Sequence, residues 1–170
     1  MLGAEVPMSD SVPGEPPATG RHGLPTVAYP PTQWRLLVRL PGRVVAAAAS
    51  AGPDDPAGTV AEGLAGLAGI AAGRAFDSDL VRAVVAAIYA ESDAYPEPPP
   101  EPDREMRIGR ALAACRAAAV ALDGRADPAD SAAYRQWVQS LAARVCRAGG
   151  APDAGSTDFL AALGEALGLG

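Results

Sequence analysis

The chain has one histidine, His22, and no lysine or asparagine anywhere in its 170 residues. Imidazole is the usual general base and the commonest metal ligand, and a lysine amine is the usual Schiff-base former. An enzyme built from this sequence is therefore confined to carboxylates, Tyr, Ser, Cys and Arg. Ferritin-like di-iron bundles need a Glu-x-x-His motif from two helices, and phosphate loops of the GxxxxGK[ST] type need the lysine. Both classes are excluded. A Ser-His or Cys-His nucleophile pair would need His22 to fold back from a segment dense in Pro and Gly. The two cysteines, Cys115 and Cys146, have neither a CxxC nor a zinc spacing and read as buried, reduced thiols. No metal or cofactor is expected.

Aromatic residues are also scarce, at 5%, although 49% of the chain is hydrophobic. The core must then be filled by Ala, Leu and Val. Ala-rich blocks at residues 44–51 and 111–122 carry high helix propensity, so the fold class is all-α. With every basic residue an Arg, and with Lys and Asn codons being A-rich, the composition points to a GC-rich bacterial genome. The net charge of −6 argues against a nucleic-acid partner, which would need a basic face. Arg104, Arg107 and Arg110 do cluster, but no compact helix-turn-helix accompanies them. No signal segment is evident, and no run approaches the ~20 apolar residues of a membrane span. The expected location is cytoplasmic, without membrane contact.

What is present organises as a Pro/Gly-rich leader over residues 1–31, expected to be disordered, followed by a bundle of about six helices over 32–170. A Pro/Glu-rich loop at 92–102 interrupts the bundle. The first helix is expected to be capped by Thr32, kinked at Pro41, and buried through Trp34, Leu37, Pro41, Val45 and Ala48. Arg35, Arg39 and Arg43 form a separate stripe on it, either a solvated face or one that meets an acidic partner. The second helix, residues 59–74, is expected to bury Val60, Leu64, Leu67 and Ala71. Gly63, Gly66, Gly69 and Gly73 fall on another face of it. Glycine costs on the order of 1 kcal/mol per helical site relative to Ala, so that face implies close approach by another helix, a loose element, or codon drift alone.

Asp77, Ser78 and Asp79 open the third helix; they suit capping better than metal binding. The fourth runs from Asp103 to Gly124 and buries Ile108, Leu112, Cys115, Ala119 and Leu122. Pro128 starts the fifth, with Tyr134, Trp137, Leu141, Val145 and Ala148 inward, ending at Gly149 and Gly150. The sixth begins at Ser156 or Thr157 and buries Phe159, Leu160, Leu163 and Leu167.

Trp34, Tyr134 and Trp137 are the largest side chains in a core of small ones. They are expected to anchor packing, with Trp137 near Trp34, or alternatively to line a ligand pocket. Thr32-Gln33-Trp34 with Leu40-Pro41, the run Ala133-Tyr134-Arg135-Gln136-Trp137 and the closing Phe159-Leu160-Ala161-Ala162-Leu163 resemble a group of small bacterial helical-bundle proteins of no established function. The resemblance spans about residues 32–170. The connection at 149–155 departs from that group in being short and lacking a hydrophobic loop. No catalytic residues carry over.

The leading functional reading is a non-catalytic interaction or assembly module. It offers an apolar or glycine-lined face, including Gly66, Gly69 and Gly73, to a protein partner or to another copy. The alternative is a cofactor-independent enzyme or small-ligand binder of bacterial specialised metabolism.

Overall fold

Proline and aspartate set where the helices begin. The computed structural model describes residues 29–53, 56–91 and 103–170, apart from the side chains of 56 and 57. Six helices are found there: α1 (Pro31–Ala51), α2 (Pro56–Ala72), α3 (Asp79–Glu91), α4 (Arg104–Arg125), α5 (Pro128–Ala148) and α6 (Ala154–Leu167). A 3-10 turn, Gly73–Ala75, continues α2. There is no strand among the described residues. The all-α bundle read from composition is the observed class.

Pro31 and Pro128 occupy first-turn positions, where the missing N–H would have had no helical partner anyway. Asp103, Asp127 and Asp153 each accept a hydrogen bond from an amide of the first turn that follows, those of Met106, Ala129 and Ser156. Thr32 is not the cap of α1; it lies inside the first turn, after Pro30 and Pro31. Likewise α6 starts at Ala154, ahead of Ser156, because Asp153 supplies the cap. At the start of α3 the cap is Ser78, whose Oγ accepts from the Val81 amide at 3.2 Å and donates to Asp130 on α5.

The leader boundary needs correcting. Tyr29 is buried and lies 6.4 Å, centroid to centroid, from the half-buried Trp34 ring. Residues 29–31 therefore belong to the bundle. The rest of the proposed leader, and the Pro/Glu-rich loop at 92–102, lie outside the described residues.

α1 packs against each of the other five helices. Chain directions follow from which ends meet. Arg104, at the start of α4, donates to the Ala51 carbonyl at the end of α1, so these two run antiparallel. Tyr134 near the start of α5 donates to Leu37 near the start of α1, and Cys146 lies by Ala48, so α5 runs parallel to α1. Arg135 of α5 reaches Ala119 and Asp123 of α4 and the Leu167 carbonyl that ends α6. Arginine thus neutralises exposed carbonyl ends on α1 and α6. Odd- and even-numbered helices alternate in direction around a core of Leu37, Leu40, Val44, Leu80, Val84, Leu122, Trp137, Leu141 and Leu163.

Candidate interaction face

Of the large aliphatics of α2, Ile70 is buried in the core and the other three face outward. Val60, Leu64 and Leu67 are 65%, 64% and 65% exposed, and Ala71 is half-buried, whereas Gly66, Gly69 and Gly73 are buried. The expectation that Val60, Leu64 and Leu67 belong to the core is overturned. The reason is steric. A Cβ on Gly66 would stand 2.5 Å from Val45 Cγ1 of α1, and one on Gly69 2.6 Å from Leu141 Cδ2 of α5. A Cβ on Gly73 would meet Val85 Cγ2 at 2.7 Å and the Trp137 ring at 2.9 Å. Branched and aromatic side chains of three neighbours fill space that only glycine leaves open. Gly63, grouped with these by helical angle, is exposed and meets nothing.

The glycine face is therefore an internal contact of this chain. At ~100° per residue, Val60, Leu64, Leu67 and Ala71 line the opposite, outward side. From Leu64 the surface continues over Ala65 and Ala68 into a shallow open groove shared with Arg144, Arg147 and Ala148 of α5. The only carboxylate of α2, Glu62, is buried on the inward side. The outward strip is thus apolar, bordered by two arginines and without an acid of its own helix.

Of the remaining candidate residues, Tyr134 and Trp137 are brought together, and Trp34 stands apart from them. Tyr134 and Trp137 are buried, with rings 5.9 Å apart in an edge-on pair. The Tyr134 hydroxyl donates to the Leu37 carbonyl at 2.7 Å, and Trp137 Nε1 to the Gly69 carbonyl at 3.2 Å. Trp137 thus leans on the glycine helix, and the ring beside Trp34 is Tyr29 rather than Trp137. None of the three lines the groove above, nor a second concavity, which Asp123, Ser131, Arg135 and Leu169 help to form.

The Leu37 bond has a cause in the sequence. Pro41 sits inside α1, buried, and has no amide with which to bond the carbonyl four residues back. That carbonyl is Leu37's, and Tyr134 supplies the missing donor. Arg35 and Arg43 are exposed and Arg39 is half-exposed, and no ion pair among the described residues engages them.

Electrostatics offers little catalytic stock. Burial pushes the Cys115 thiol up to about 12 and raises Cys146 as well, although a hydrogen bond with Ser156 pulls the latter back. Both thiols stay protonated at neutral pH and are poor nucleophiles. Burial likewise raises the Tyr134 phenol well above its ordinary value and raises Tyr29, to which Asp130 adds. Asp123 is spent on Arg135, and Arg104 and Arg107 on the end of α1 at Ala51 and Ser50. Among the described residues no group of three or more His, Cys, Asp or Glu is placed to hold a metal ion. None of the described helices is long and apolar enough to cross a membrane.

Comparison with family models, with curated proteins and with solved structures found no match.

Proposed function

We propose that this protein is a non-catalytic helical interaction module that binds a protein through the outward face of α2. One observation carries the reading: the helix meets its own bundle with glycines and Ile70 and presents Val60, Leu64 and Leu67 to solvent. Internal packing makes no demand for large apolar residues at those three positions. Burying apolar surface is favourable by roughly 25 cal/mol per Å², so an apolar strip at helical spacing gains stability only when something covers it. The pocket reading has less behind it, since Tyr134 and Trp137 are packed and hydrogen-bonded to backbone. Two buried thiols suit a reducing compartment, and we place the protein in the cytoplasm.

The test is a photo-crosslinking side chain at position 64, with one at Val120, also exposed on α4, as the control. In source cells, position 64 should give a discrete protein adduct and position 120 none. Absence of any adduct at 64 would overturn the reading.

A further inference from the structure

We infer that the occupant of this face is an acidic amphipathic helix, its apolar stripe lying along Val60, Leu64 and Leu67 and its carboxylates meeting Arg144 and Arg147. The inference rests on the reading of the outward α2 face as a contact surface and adds the chemistry of the partner. Anchors at i, i+4 and i+7 on α2 match the spacing of one helix laid on another. Beside them, Ala65, Ala68 and Ala148 line an open groove together with Arg144 and Arg147. Arg144 crosses close by the glycine face, its Cδ 3.5 Å from where a Gly69 Cβ would be. That stem packs against α2 while the charged head reaches solvent.

Charge decides between occupants. A second copy docked through the same strip would bring its own Arg144 and Arg147 to a face whose α2 has no exposed carboxylate. Like charges would then meet with no acid between them. An anionic lipid surface would suit the arginines, but interfacial helices carry a strongly basic polar face with aromatic anchors. Here α2 itself has neither an aromatic nor a basic residue, the Arg74–Tyr89 stack just past its end supplies only one of each, and the strip borders a groove.

The experiment is selection of a displayed library of helical peptides on the full chain, counter-selected on the Leu64→Ser, Leu67→Ser variant. Enriched peptides should carry apolar residues at i, i+4 and i+7 with Asp or Glu along one flank. Fluorescence anisotropy should show that Arg144→Glu with Arg147→Glu weakens such a peptide at least ~10-fold, and that a peptide with its acids changed to Arg regains affinity for the reversed protein. No enrichment, enrichment without acids, or an affinity insensitive to charge reversal overturns the inference. Enriched peptides that lack acids yet are released by Leu64→Ser, Leu67→Ser leave the contact-surface reading standing while the acidic partner falls. Peptides indifferent to the serine changes sink both. Self-association in sedimentation, or binding to phosphatidylglycerol vesicles, abolished by the same serine changes would reassign the face to a second copy or to lipid. A crosslink from position 64 to residues 1–28 of the same chain would reassign it to the leader.

Discussion

Tyr134→Phe should cost about 1–3 kcal/mol, because it strips the side-chain donor that replaces the amide missing at Pro41. The ring is retained, so packing is nearly unchanged and the loss reports the buried Leu37 carbonyl. Pro41→Ala restores an amide four residues beyond that carbonyl, and its effect should be more favourable in the Tyr134→Phe background than in the native one by ~1 kcal/mol. Urea unfolding of the four proteins in this cycle measures the coupling. Additivity within ~0.5 kcal/mol would show that the hydroxyl and the proline are unrelated. A proline inside a helical pattern signals an orphaned carbonyl four residues back, so half of this arrangement was readable in the sequence. The identity of the donor was not, since Tyr134 is almost a hundred positions away and only the parallel run of α1 and α5 brings it there.

At the scale of the element, α5 and α2 explain why some faces were legible and others were not. In α5 the large residues Tyr134, Trp137, Leu141 and Val145 share one side against smaller or polar neighbours, so bulk and burial coincide as read. α2 is composed almost wholly of Ala, Gly and a few aliphatics, and its one acid, Glu62, is buried, so polar residues do not mark an outside. Apolar periodicity then points to the wrong side. The deciding quantity is the size of what the neighbours push in, which a one-helix pattern does not contain. Two substitutions separate the glycine roles. Gly63→Ala meets open space in mid-helix and should stabilise by ~0.5–1 kcal/mol. Gly73→Ala drives a methyl into Val85 and the rigid Trp137 ring and should destabilise by ~1–3 kcal/mol. Thermal and urea unfolding check both signs, and a stabilised Gly73→Ala would mean that the glycine face is loose rather than close-packed.

At the scale of the whole molecule, Trp137 joins pieces of the chain that are far apart in sequence. Its indole bonds the Gly69 carbonyl of α2, stands over Gly73 against Val85 of α3, and meets Tyr134, which in turn holds α1. Trp34, expected to share this place, is only half-buried at the edge of the core beside Tyr29. Trp137→Ala should therefore cost ~3–5 kcal/mol, a large share of the ~5–15 kcal/mol that holds a domain together, while Trp34→Ala should cost clearly less. Circular dichroism melts of both variants beside the native chain make the comparison. The expected result is a Trp137→Ala protein that is unfolded or melts many degrees lower, with α2 released from its glycine contacts, so that the outward strip of Val60, Leu64 and Leu67 is no longer displayed on a fixed helix. A Trp137→Ala protein with native helicity and an unchanged melting temperature would instead mean that the bundle tolerates a void at its centre. The indole would then be lining space for a ligand, and the case for an interaction module over a ligand-binding protein would fail at its structural root.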